Sequence, residues 1–255
     1  MKKRLQNIIN KTAPAILIFL IVVLWQGVSA LGIVPKYMIP SPFDVVKALI
    51  TDFPLLLQHA RTTLAEAFIG LAFSICLSFA TAFFMDRFLF LKKAVYPLLV
   101  VSQTIPTVAI APLLVLWLGY GIAPKVILIV ITCYFPLTIS LLAGLASADT
   151  DAIHLLRAMG ASKNQIFYHI KLKSSFGHFF SGLKVAVSYS VVGAVISEWL
   201  GGMSGLGVYM TRVKKSYAFD KMFAVILLIS VISLLLMKLV ALLERISMPW
   251  KRAQQ

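Results

Sequence analysis

Glu66 and Glu198 each sit inside an apolar run, near one end of it. A carboxylate in hydrocarbon costs several kcal/mol unless it is paired or wetted, so each must face neighbouring helices or a water-filled cavity. Lys238, inside the last apolar run, is a candidate partner for either, or else snorkels along its own stem. A second polar cluster, Ser102-Gln103-Thr104, precedes Pro106 in VSQTIPTVAIAP. A proline in a helix interior deletes a backbone hydrogen bond, and the freed groups are tolerated at membrane depth only inside protein or along a cavity. Gln103, Thr104 and Pro106, with Glu198 and Trp199, are therefore the candidates for contact with a solute. Two other readings stay open: a packing kink whose own polar groups satisfy the backbone, and glutamates that only hold neighbouring helices. The aromatics Trp117, Tyr120, Tyr189 and Trp199 suit stacking on a flat solute, although interfacial belts use the same residues.

Catalytic chemistry has no constellation here. No Gly-x-x-x-x-Gly-Lys-[Ser/Thr] phosphate loop occurs, and the glycines of GGMSGLG (201–207) are not followed by lysine. The chain is thus expected not to bind ATP itself. His59, His154, His169 and His178 are not spaced with carboxylates for a metal, and Gly-x-Ser-x-Gly is absent. Cys76 and Cys133 lie singly in apolar runs and read as small buried hydrophobes. Neither a catalytic residue nor a metal ligand is assigned.

These residues need membrane-spanning elements to hold them. The chain is 60% hydrophobic and 13% charged, with mean hydropathy +0.93, against roughly 45–50% and 25% in soluble domains. The expected class is an all-α integral membrane protein with about six transmembrane helices. The formal charge of +15 is spread between the apolar runs and argues for orientation rather than nucleic acid. Spans are expected near residues 13–34, 61–85, 94–118, 126–146, 182–200 and 222–243, each close to the ~20 residues a bilayer requires. Residues 40–53 read as a short amphipathic helix. Pro97, Pro106 and Pro112 predict a kinked or broken third span. With the N-terminus inside, 15 of the 24 Lys and Arg fall on inner segments, which places both termini on the cytoplasmic side.

Two stripes recur at i+4. One is Glu66, Gly70, Ser74, Ser78 and Ala82; the other is Gly182, Ala186, Ser190, Ala194, Glu198 and Gly202. Small residues at this spacing let helix backbones approach closely, the main source of association where lipid supplies no hydrophobic force. Gly70, Ser74, Ser78, Gly182, Ala186 and Ser190 are the expected seam. It packs either within the chain or against a second copy.

The longest polar interruption runs from residue 149 to 184. Asp149 or Thr150 caps a first helix at about 151–159, and Gly160 ends it in the left-handed conformation glycine favours. Ser162 and Gln165 then form a capping box that opens a second helix. The segment reads as a shaped protrusion.

The run LLRAMGAS (155–162) and the later Gly182-Leu183 pair resemble the EAA loop of ABC-importer permeases. Gly160, Ala161, Gly182 and Leu183 match that pattern. His154, Leu155 and Leu156 stand where the family has Glu-Ala-Ala, and Leu172-Lys173 where it has Leu-Pro. PSP (40–42), IPTVAIAPLLVLWLGYG (105–121) and ISEWLGGMSGLG (196–207) are similar to permeases of the nitrate, sulfonate and taurine branch. Within it, AVISEWLGGMSGLGVYM resembles permeases for thiamine pyrimidine precursors.

The resemblance implies a single permease domain over residues 1–255 with a type I ABC importer fold, its core at about 61–243 and a coupling loop at 149–178. It implies a multi-pass protein of the bacterial plasma membrane, a dimer of permeases, a solute-binding protein outside, and a separate ATPase that binds ATP inside. Leu155, Leu156, Arg157, Gly160, Ala161 and Ser162 would couple the chain to that ATPase. The glutamates in the spans favour a neutral or weakly basic heteroaromatic solute, with sulfonate, taurine or nitrate as the alternative. A membrane scaffold or signalling protein without transport is the rival of another class.

Overall fold

A computed structural model describes residues 2–32, 35 and 38–249, and among these the chain is helical with no strand. Helix α1 spans Lys2–Ala30. Helix α2 (Pro42–Thr51) opens on a capping box in which the Ser41 hydroxyl accepts from the Asp44 amide and the Asp44 carboxylate from that of Ser41. Pro42 adds a pre-set φ at its first position, where no amide is needed. Only Asp52 separates it from α3 (Phe53–Arg87). Next come α4 (Leu89–Ser102), α5 (Thr107–Leu118), α6 (Ile122–Ala146) and the short α7 (Thr150–Ala158). Helix α8 (Lys163–Ile166) runs through a π-helical turn, Phe167–Lys171, straight into α9 (Leu172–Gly201). Then come α10 (Leu206–Lys215) and α11 (Phe219–Ser247).

Five helices among the described residues are long and apolar enough to cross a bilayer, and the bent pair α4–α5 makes up to six. The count of about six spans therefore holds with that pair taken as one, while several boundaries move. The second span begins at Phe53, not near Arg61, because Asp52 turns the chain without ending its helical hydrogen bonding. The third is broken, with a 98° bend between α4 and α5. Only Pro106 marks the break; Pro97 and Pro112 sit inside continuous helices. The fifth is continuous from Lys163 to Gly201 instead of starting near Gly182. The second of the two short helices is thus the foot of that span. Helix α1 ends at Ala30, and the last residues of its expected run, with Lys251 and Arg252, lie outside the described residues.

The chain divides into two compact units, one of residues up to Gln58 with Tyr209–Leu228, the other of His59–Val208 with residues from Ile229 on. In the larger unit α6 is the central rod. Ile129, Cys133 and Leu137 on it are fully buried, among Ala67 and Leu71 of α3, Ala186, Val191 and Ala194 of α9, and Val240 of α11. Both small-residue stripes are spent on α6. A Cβ on Gly70 would stand 2.5 Å from the Ile129 side chain, and one on Gly182 would stand 2.5 Å from the Ser140 hydroxyl. The Cys133 thiol donates to the Ala186 carbonyl, and the Ser78 hydroxyl to the Tyr134 carbonyl. Ser74, Ser78, Ala186 and Ser190 are buried within this one chain. These seam residues therefore pack within this one chain.

In the smaller unit, Val45, Ala48 and Ala224 are buried together, with Trp25 and Phe223 against them. The Trp25 indole donates to the Pro40 carbonyl. Asp52 accepts from the Tyr209 hydroxyl and pairs with Lys221 at 2.8 Å.

Candidate functional site

Three places gather the functional candidates. The first is α7 with the turn after it. The Asp149 carboxylate accepts from the amides of Asp151 and Ala152, satisfying donors that a helix start leaves orphaned. Gly160 has φ +84°, and its amide and that of Ala161 close back on the Arg157 and Leu156 carbonyls. The Ser162–Gln165 capping box is formed in both directions. This local chemistry fixes the path of the protrusion with no help from burial, because α7 has no buried residue.

The base of the protrusion is anchored. Ile166 is buried, Phe167 meets Phe83 edge-on at 5.0 Å, and the Lys171 ammonium reaches both Asp86 oxygens at 2.7 and 2.9 Å. Lys184 pairs with Glu244 at 2.6 Å on the next helix over. Beyond this base Leu155 and Met159, one turn apart, and Tyr168 are largely exposed. Arg157, Gly160 and Ser162 are exposed as well, whereas Leu156 and Ala161 are half-buried. Leu155 and Met159 thus give α7 an apolar face left uncovered among the described residues.

The second place is a buried charged cluster. Glu66 pairs with Lys125 of α6 at 2.5 Å, both nearly inaccessible. The other Glu66 oxygen makes no hydrogen bond among the described residues. Lys238 is not the partner that the sequence suggested. Lys125 stands one residue before the expected fourth span (126–146), yet Pro124 at the third helical position of α6 already signals a helix start that carries Lys125 into the span. The intramembrane charge balance thus includes a cation, and the preference for a neutral solute drawn from lone glutamates loses that support.

Glu198 is 1% exposed and has both oxygens occupied. The Thr63 hydroxyl donates to one at 2.7 Å and the Gly207 amide to the other at 2.6 Å. The Leu206 amide donates to the Thr63 hydroxyl, and the Gly205 amide to His59 Nδ1 at 3.0 Å. Gly205 has φ +128°, and its missing side chain leaves the space that the Glu198 carboxylate fills. Glu198 thus closes the glycine-rich loop 201–207 onto α3. Sequence reasoning named the glutamate but missed Thr63 and His59, which lie on another helix and carry no local signal.

The third place is the break before α5. The Ser102 and Thr104 hydroxyls donate back to the Leu99 and Val101 carbonyls, so these side chains satisfy the end of α4. Gln103, Thr104 and Pro106 are exposed, and the Gln103 carboxamide makes no hydrogen bond among the described residues. The proposed solute path therefore separates into this exposed break and the buried Glu198 latch, with Trp199 beside it 44% exposed.

The chain is 38% identical over 242 residues to the formylaminopyrimidine transport permease protein ThiX of Halalkalibacterium halodurans, covering 94% of this chain and 96% of that one. It is 28% identical over 238 residues to the riboflavin transport system permease protein RibX of Chloroflexus aurantiacus, covering 92% and 88%. An inward-facing structure of the MetNI methionine ABC transporter superposes with a TM-score of 0.67 at 18% identity, over 76% of this chain and 97% of that one. That likeness identifies a type I ABC importer permease fold. Residues 74–246 match the binding-protein-dependent transport system inner membrane component family. With that match and the 38% identity of a full-length relative, the chain belongs to this family and is an ABC importer permease of the plasma membrane.

Proposed function

We propose that this permease carries a small heteroaromatic solute, a thiamine pyrimidine precursor, inward across the membrane, driven by ATP bound and hydrolysed in a separate subunit. The observation that carries the solute class is the 38% identity to a formylaminopyrimidine permease across nearly the full length of both chains. Helix α7 docks the ATPase from the cytoplasmic side, with Leu155, Leu156 and Arg157 on the helix and Gly160, Ala161 and Ser162 setting its exit. Support for this role comes from the exposure of Leu155 and Met159 on a helix whose caps and base are fixed. A solute-binding protein delivers the solute from outside, and two permease copies flank the path. The Gln103 carboxamide at the break hydrogen-bonds the passing solute, a reading supported by its exposure and by its lack of a hydrogen bond among the described residues.

The test is uptake into proteoliposomes that hold the permease, its ATPase and its binding protein. Labelled formylaminopyrimidine should accumulate only with ATP, and taurine should not compete. Gln103→Ala should lower uptake while ATPase co-purification stays intact. Leu155→Asp with Met159→Asp should abolish co-purification. Uptake of taurine in preference to the pyrimidine would overturn the solute, and co-purification that survives both aspartates would overturn the docking face.

A further inference from the structure

A cavity of about 210 Å³ opens between the C-terminal end of α3, the inner side of α7 and the start of α8. Arg87, Arg157, Lys163 and Lys171 line it, against one acidic residue, Asp86. Asp86 is already engaged by Lys171. Arg87, Arg157 and Lys163 make no hydrogen bond or ion pair among the described residues. Three cations thus converge on one opening without a counter-charge, an arrangement whose mutual repulsion calls for an anion. Arginine presents a planar fork that matches phosphate oxygens two at a time, and lysine adds a point charge.

The position selects the source of that phosphate. Arg87 is the last residue of the span Phe53–Arg87, so the cavity lies where apolar helix gives way to polar segment. Phe83 and Phe167 form an apolar side of the opening. Phe84, Phe88, Leu89 and Phe90 are exposed around the same helix end, along which acyl chains can lie. The cavity has room for several water volumes of ~30 Å³ each, enough for a phosphodiester with part of its glycerol. We infer that this cavity binds the phosphate of an anionic phospholipid headgroup, with Arg87, Arg157 and Lys163 as its ligands. Basic pockets between spans at a membrane surface hold such headgroups. Because α7 forms one wall, the lipid ties the protrusion to the end of α3.

Native mass spectrometry of the full chain, with phosphatidylglycerol and phosphatidylcholine as probes, tests this. Phosphatidylglycerol should be retained preferentially. Arg87→Gln and Arg157→Gln should each cut that retention about tenfold, the loss expected for one charge-assisted hydrogen bond. Lys93→Gln, on α4 and outside the cavity, should leave retention unchanged. Lys163→Gln, exposed in the first turn of α8, provides a second variant where an arginine change lowers the melting temperature. Equal retention of the two lipids, or an equal loss in Lys93→Gln, would overturn the site. Displacement of phosphatidylglycerol by equimolar inorganic phosphate would overturn the lipid in favour of a free anion.

Discussion

The Glu66–Lys125 pair and the Glu198 latch both put a carboxylate inside the bundle, but they solve the cost differently. Glu66 is balanced by charge and has one oxygen without a hydrogen bond among the described residues, whereas Glu198 is balanced by two donors, the Thr63 hydroxyl and the Gly207 amide. Removing one member of a buried ion pair leaves the other charge uncompensated, at about 3–5 kcal/mol, while replacing both by apolar groups is often neutral. Lys125→Met should therefore lower the melting temperature sharply, and Glu66→Leu in the same chain should restore most of it. If the double variant melts as low as the single, the pair is not the reason Lys125 matters. Gly205→Ala tests the latch. Its φ of +128° and the Glu198 carboxylate at its Cβ position leave no room for a methyl group, so loss of about 1–3 kcal/mol is expected, as for overpacking. Proteolysis in the loop 201–207 should rise with it; a loop equally protected in the variant would show that Glu198 does not hold it.

At the scale of elements, what the sequence made legible was what neighbouring residues decide among themselves. Asp149, Gly160 and the Ser162–Gln165 pair mark the ends of α7 and α8 through contacts no more than four residues apart, and each is found. The break at Pro106 was legible for the same reason. Pro97 and Pro112 misled because neighbouring helices can hold a proline-bearing turn in place. The junction of α8 with α9 was obscured by polar composition: Lys171, Lys173, Ser174 and Ser175 read as loop. In the structure Lys171 finds Asp86, Ser175 is buried where Gly144 allows close approach, and a π turn keeps the helix unbroken. The choice of α6 as the shared partner of both stripes depends on pairing between helices and could not be read from either stripe alone. Gly182 tests that pairing. A Cβ there would stand 2.6 Å from Ser140 Cβ and 3.1 Å from the Pro136 carbonyl. Gly182→Ala should lower thermal stability in detergent, and Ser140→Gly, although itself costing about 1 kcal/mol as a helical glycine, should recover part of the loss. Additive losses in the double variant would argue that the two helices do not meet there.

Over the whole molecule the two units are held by different chemistry, and that difference has a consequence for pH. The larger unit rests on close packing around α6, whereas the smaller one joins α2, α10 and the start of α11 through Asp52, Tyr209 and Lys221. Burial pushes the Asp52 carboxyl up, but the Lys221 ammonium and the Tyr209 hydroxyl outweigh it, and its pKa lies below the ordinary value of 3.8. A carboxyl lowered in the folded state adds stability above the unfolded value of ~3.9, and this is lost as pH falls through the folded value. Burial first, and then the Asp52 charge, raise the Tyr209 phenol, so its neutral form is favoured. That contribution is present below the unfolded tyrosine value of ~10 and is lost as pH rises past it. The clamp is therefore intact between about pH 4 and 10. Lys221 is 40% exposed, so screening keeps the effect modest. Hydrogen exchange in α2 and α10, corrected for intrinsic rates, should be flat from about pH 5 to 8 and accelerate below about pH 4. Asp52→Asn should remove that acid limb, because an amide cannot titrate, and leave protection lower and level. An acid limb that persists unchanged in Asp52→Asn would assign the sensitivity to another group and remove Asp52 as the charge that joins these helices.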